Sequence, residues 1–196
     1  MKRILTALAL TAALGVAVPA IAADTAEVGK PAPAFTLKDE TGKEHSLAQY
    51  QGKVVVLEWT NPECPYVRRH YQAKTMQNTL KGFDAKKVVW LAVDSTSHNT
   101  PDKSASWKKE QGFPYSVLQD PGGKVGKAYG AKTTPHMYII DEKGVLRYAG
   151  AIDDDPRGKS ATPVNHVKTA VDAVLSGQPV PEATTDPYGC SVKYKS

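Results

Sequence analysis

Two stretches constrain this chain more than any other feature. Residues 53–59 (KVVVLEW) and 88–94 (VVWLAVD) are near-continuous apolar runs rich in β-branched residues, without in-and-out alternation. A strand with one wet face alternates, so runs like these belong to strands covered on both faces, where helices pack above and below a sheet. Between them, residues 65–83 place Ala73, Met76, Leu80 and Phe83 three and four apart, the period of an amphipathic helix. Strand, helix and second buried strand imply an α/β domain built on a mixed sheet.

The remaining pattern completes that domain. A short extended segment is expected at 34–38, a turn at 39–42, a half-turn at 47–50, a helix at 101–111 closed by Gly112, a short strand at 115–118, and a helical turn from Gly122-Gly123 to Tyr129. Residues 136–140 and 145–149 flank the turn Asp141-Glu142-Lys143-Gly144 and read as a hairpin. The last helix is expected to start with Thr162 as cap and Pro163 at its first position, with Val164, Val167, Val171 and Val174 on one face. Residues 178–196 read as a polar tail on a flexible linker of Pro, Thr and Asp.

The first residues read as a targeting signal. Lys2 and Arg3 precede an apolar run at 4–18 and small residues at 19–23, with cleavage expected after Ala22. The run is shorter than the ~20 residues that span a bilayer, so cleavage and export to a bacterial periplasm are expected, without stable membrane insertion. The expected division is a signal peptide at 1–22, one domain at 23–177 and a tail at 178–196. Loss of Lys2 and Arg3 takes the net charge from +5 to near +3. That charge is mild and scattered, which argues against nucleic acid as a partner.

Cys64 and Cys190 are the only cysteines, 126 positions apart, so they are neither a local C-x-x-C pair nor half of a zinc knuckle. Cys64 sits where the first buried strand gives way to a helix, and Pro65 follows it at the helix start. Unpaired amides and the helix dipole stabilise an anion at such a junction, which lowers a thiol pKa; Arg68 and Arg69 stand one turn on. Asp153-Asp154-Asp155 offers carboxylates for a divalent ion, although such a run also suits a solvated loop.

The segment Val28-Gly29-Lys30-Pro31-Ala32-Pro33-Ala34-Phe35-Thr36-Leu37, the strand ending in Trp59, the Cys64-Pro65 junction and Thr134-Pro135 before a strand together resemble the redoxin branch of the thioredoxin superfamily. That branch includes alkyl hydroperoxide reductase/thiol-specific antioxidant proteins and TlpA/ResA-type thiol-disulfide proteins. The resemblance spans about residues 28–177 and implies a thioredoxin-like fold, a central mixed sheet flanked by helices. Two departures stand out. Val67 occupies the place of the second cysteine of C-x-x-C, and Asn61 stands where peroxiredoxins carry a Thr three positions before the reactive cysteine.

The resemblance implies a cis Thr134-Pro135 bond facing Cys64, with Thr134, Pro135 and Pro65 forming the substrate face. His136 is then a candidate acid/base or merely a cap of its strand, and Asn61 a donor to a peroxide oxygen. Glu58, the one charge in the first buried run, is expected either to shuttle a proton to the thiol, as a buried acid does in thioredoxins, or to lie solvated at the strand end.

Cys190 is expected either to resolve oxidised Cys64 through a disulfide or to tether the tail in a static one. No cofactor is implied. Cys64 with His70 and His136 offers a weaker copper-site alternative, since copper-delivery relatives carry a second nearby cysteine. The expected activity is that of an exported, peroxiredoxin-like antioxidant that uses an external thiol reductant. Its alternatives are a thiol-disulfide reductase or isomerase acting on exported protein disulfides, and a non-catalytic binding or metal-delivery module.

Overall fold

The computed structural model describes residues 25–195; the expected signal peptide lies outside them. The two apolar runs become β3 (Val54–Trp59) and β4 (Val88–Asp94), which pair in parallel with Val54 opposite Val88 and Trp59 opposite Val93. Every residue of β3 is buried. With β1 (Thr36–Lys38), β2 (Glu44–Ser46), β5 (Val117–Gln119), β7 (His136–Ile140) and β8 (Leu146–Gly150) they form a seven-stranded mixed sheet in the order β2-β1-β5-β4-β3-β7-β8. β3 is an interior strand beside the middle one, parallel to β4 on one side and antiparallel to β7 on the other.

Period-two alternation sends side chains from β3 into two separate cores. Val54 and Val56 join Cys64, Val67, Tyr71, Met76, Trp90, Met137, Val167 and Val171 on one face. Val55, Leu57 and Trp59 join Phe35, Tyr129, Tyr138 and Leu146 on the other. Burying one such large apolar side chain contributes roughly 1.5–3 kcal/mol, so both faces stabilise the same interior strand. Trp59 sits 5.1 Å, centroid to centroid, from each of Tyr129 and Tyr138, and donates through Nε1 to Ser95 Oγ.

Three sequence expectations need correction. The helix expected at 65–83 is two helices, α1 (Pro65–Gln72) and α2 (Thr75–Lys81), because Lys74 adopts a left-handed conformation with φ 57°. The apolar spacing continues across this break, so periodicity alone does not reveal it. After α3 (Pro101–Gln111) and α4 (Lys124–Tyr129), the last helix α5 (His166–Leu175) begins three residues later than expected. Its cap is Asn165, whose side chain accepts from Lys168 N at 2.8 Å, and Val164 is left exposed.

The tail is also not a loose linker. Ala149 N donates to Ala183 O and Thr185 N to Ala149 O, so the tail runs along β8. Beyond that, β9 (Cys190–Ser191) pairs antiparallel with β6 (Thr133–Thr134), Val192 N donates to Lys132 O and Ser97 N to Lys193 O. Tyr194 then lies against α4, where Gly126 leaves room for its ring and hydroxyl. These are backbone hydrogen bonds, which a polar composition neither supplies nor reveals.

Candidate active site

β3 delivers the chain to a short turn before α1. Thr60 N donates to Val93 O, extending the strand by one residue. Asn61 then makes two bonds, its carbonyl accepting from Cys64 N at 3.0 Å and its side-chain Oδ1 from Glu63 N at 2.8 Å. This Asx turn reverses the chain over a very short span. Cys64 becomes the N-cap of α1, with Pro65 at the first helical position, where its missing N–H costs nothing.

Facing this junction is the Thr134-Pro135 peptide, which is cis. The Cys64 thiol donates to Thr134 O at 2.9 Å, and the residue is only 2% exposed. Cys190 lies directly opposite Thr134 in the β6–β9 pair and packs against the core cluster that holds Cys64, close enough for each thiol to shift the pKa of the other; both sulfurs are free thiols. The approach depends on Gly189, which has φ 140°: a Cβ there would stand 2.1 Å from Thr134 O. No other residue lets the tail lie so close.

The two thiols are electrostatically unequal. Burial raises the Cys64 pKa, and its bond to the Thr134 carbonyl, which only a protonated thiol makes, acts in the same sense. Hydrogen bonding from the Cys190 thiol, from Thr134 and from the Val67 and Cys190 amides outweighs both, leaving Cys64 below the ordinary thiol value. The Val67 amide acts without completing a capping hydrogen bond. Cys190 is pushed up to about 11 by burial and by the hydrogen bond and charge of Cys64, against a smaller pull from Lys193.

The other expected residues occupy distinct places. Glu58 is fully buried on the Cys64 side of the sheet, not solvated. Burial raises its pKa to about 7, although Trp90 and Tyr71 hydrogen-bond to it and pull the other way. Tyr71 OH reaches both carboxyl oxygens at 3.0 Å and Trp90 Nε1 reaches Oε2 at 2.9 Å. Tyr71 belongs to α1, so a single helix links the acid's network to Cys64.

His136 projects to the opposite side of the sheet. Its ring lies 4.5 Å from that of Tyr138, and Nδ1 meets Lys132 N and Tyr138 OH. Burial lowers its pKa to about 4, leaving it neutral. The expectation of His136 as acid/base for Cys64 is therefore corrected: strand alternation carries the side chain away from the thiol although its backbone is adjacent.

His70 likewise does not join Cys64 and His136 in a copper-type site. It is buried between Asp153 and Tyr188, and among the described residues no three metal-ligating side chains converge. The acidic run is divided. Asp153 takes Tyr188 OH, Asp154 takes Val164 N, and Asp155 takes Lys159 N and Ser160 N. Arg69 turns to the carbonyls of Asp155 and Pro156, and Arg68 is exposed. The roles of Tyr188 and Gly189 were not read from the sequence. The signal was a Tyr-Gly-Cys triplet, in which an aromatic and a glycine precede the second thiol.

The AhpC/TSA family model matches residues 28–149. The chain belongs to the AhpC/TSA family. Over 131 residues it is 33% identical to a Mycobacterium tuberculosis protein named as a peroxiredoxin, covering 65% of this chain and 78% of that one. Over 138 residues it is 32% identical to the thiol:disulfide interchange protein DsbE of Escherichia coli strain K12, covering 68% and 70%. Among solved structures, an uncharacterized conserved protein from Geobacillus kaustophilus superposes with a TM-score of 0.75 at 29% identity, covering 92% of this chain and 98% of that one. The fold is thioredoxin-like, and this family member is a thiol-dependent oxidoreductase.

Proposed function

We propose that Cys64 is the nucleophile and Cys190 its resolving partner, and that the oxidant is a peroxide. The observation that carries this reading is the pairing of Cys190 opposite Thr134, which puts the second thiol beside the first without a C-x-x-C motif. The tail covers the β6 edge, where the family resemblance would seat an extended thiol substrate, and Cys64 is nearly closed off. A small oxidant needs only a path to Sγ, whereas a protein disulfide must first displace β9.

In the first step the Cys64 thiolate attacks the peroxide oxygen. The O–O bond breaks, Cys64 becomes the sulfenic acid, and the alkoxide or hydroxide takes a proton. In the second, the Cys190 sulfur attacks Cys64 sulfur, an S–S bond forms and water leaves. An external dithiol then reduces the disulfide, its two electrons restoring both thiols. Burial is the main reason that Cys190 stays protonated, and the hydrogen bond and charge of Cys64 add to it; oxidation of Cys64 removes that charge, so the resolving thiol becomes easier to ionise when it is needed.

Pro65 positions the thiol by starting α1, and Pro135 and Thr134 shape its other side. Asn61 orders the turn through Oδ1; among the described residues none accepts from its amide, which is thereby available to a peroxide oxygen. Glu58 serves as the buried proton store on the nucleophile's side of the sheet. The apolar segment ahead of the described residues supports an exported, periplasmic setting.

Rapid mixing of the reduced protein with hydrogen peroxide or with an oxidised protein substrate tests the choice of oxidant. Faster loss of free Cys64 with peroxide is expected. Faster reaction with the protein disulfide would favour interchange activity through a mixed disulfide at Cys64.

A further inference from the structure

α1 carries more than the nucleophile. Tyr66, Arg69 and His70 share one face of it, three and four apart, and together with Asp153 they surround Tyr188. Tyr188 OH is hydrogen-bonded to Asp153 Oδ1, lies 3.0 Å from His70 Nε2, and receives Arg69 Nη2 at 3.5 Å. The Tyr66 ring lies 6.0 Å from the Tyr188 ring, and the Arg69 guanidinium 5.9 Å from it. Arg69 is itself fixed by the carbonyls of Asp155 and Pro156. Two residues further on stands Cys190, with only Gly189 between.

We propose that Tyr188 is a positioning residue for the resolving step: the Arg69–His70–Asp153 socket holds its hydroxyl and thereby keeps Cys190 against Cys64. The inference rests on Cys190 being the resolving thiol. The same helix fixes one sulfur by its N-cap and the other through the socket, so their separation is set by a few residues of rigid backbone rather than by the length of the tail. Holding the second thiol in this way raises its effective concentration at the first. It decides whether a Cys64 intermediate closes internally or is captured by an outside thiol.

The test uses the full-length reduced protein and oxidised glutathione as probe. Cys64 thiolate attacks the glutathione disulfide, giving Cys64–S–S–glutathione and one glutathione thiol. Cys190 then attacks the Cys64 sulfur, forming the internal disulfide and releasing the second glutathione. Acid quenching followed by mass spectrometry reads the ratio of internal disulfide to mixed disulfide at increasing reduced glutathione. Because the ratio starts from the mixed disulfide, changes in the first step cancel.

Tyr188→Phe is expected to lower the effective concentration of Cys190 about ten-fold, and Asp153→Asn to act in the same direction. The double variant is expected to lose little more than either single one, a non-additivity that a general loosening of the fold does not produce. An unchanged ratio in Tyr188→Phe, or full additivity in the double variant, overturns the inference. If the wild type forms no internal disulfide while Cys64 is glutathionylated, the resolving-thiol reading fails first and the inference falls with it.

Discussion

The two thiols meet in space but are placed by opposite means. Cys64 is held locally: a buried interior strand, an Asx turn and a helix start occupy consecutive residues, and each is fixed by its neighbours. Cys190 is held remotely. Its strand pairs with residues 56 or more positions away, and Tyr188 beside it binds Arg69 across 119 positions. The first arrangement needs the core to exist; the second is added onto a completed core. A nucleophile built on β3 and α1 is therefore expected to survive perturbations that detach its partner.

The largest effect expected on this comparison is that of Cys64→Ser. It should lower turnover by roughly a thousand-fold or more, the scale on which loss of a covalent nucleophile acts, while the tail stays paired to β6. Steady-state peroxide consumption with a dithiol donor measures it. Residual turnover within ten-fold of wild type would mean that Cys190 reacts first.

Glu58 probes the buried half alone. Its folded pKa of about 7 lies above the ordinary carboxyl value, so between about pH 4.5 and 7 the native state holds a proton that the unfolded chain has lost. The resulting contribution is fully present below pH 4.5 and disappears as the pH rises through 7, a decline of roughly 3 kcal/mol. His70 and His136 act oppositely, because burial lowers both to about 4 and their contribution disappears as the pH falls. Denaturant unfolding of wild type and Glu58→Gln at each pH isolates the carboxyl: the variant should lack the decline. An identical pH slope in the two proteins would mean that Glu58 titrates normally.

A smaller effect should come from Gly189→Ala, which perturbs only the added half. The new methyl collides with Thr134 O, so β9 should lift and internal disulfide formation slow about ten-fold. Lifting β9 also removes the Cys190 thiol and amide that lower the Cys64 pKa. Alkylation by iodoacetamide is therefore compared at a pH where Cys64 is ionised in both proteins, and there it should become faster as the cover opens. Slower alkylation would show that the tail supports the nucleophile rather than covering it.

The difference between the two thiols also explains what the sequence disclosed. The buried runs, the helix-start position of Cys64 and the family resemblance placed the sheet, the junction and the cis peptide, because each is carried by adjacent residues. Of the two roles open to His136, acid/base or cap of its strand, the contact with Lys132 N fits the second; backbone proximity to Pro135 does not say which sheet face receives the side chain. The break at Lys74 was hidden by apolar spacing that continues across it. The tail was read as mobile because Pro, Thr and Asp are frequent in linkers, whereas here Thr185 and the backbone beside it meet partners on and just past β8 that are remote in sequence. Tyr188 shows the same limit: its socket exists only after α1 and the Asp153 loop have come together.

The central claim is that Cys64 reacts and Cys190 resolves it within one chain. Its most direct measurement is peptide mapping of the full-length protein after one equivalent of hydrogen peroxide, with thiols blocked before unfolding. A monomer carrying a Cys64–Cys190 disulfide is expected, and in Cys190→Ser a sulfenic or more highly oxidised Cys64 in its place. A wild type with Cys64 oxidised and Cys190 free, or with Cys190 joined to Cys190 of a second chain, would contradict the account.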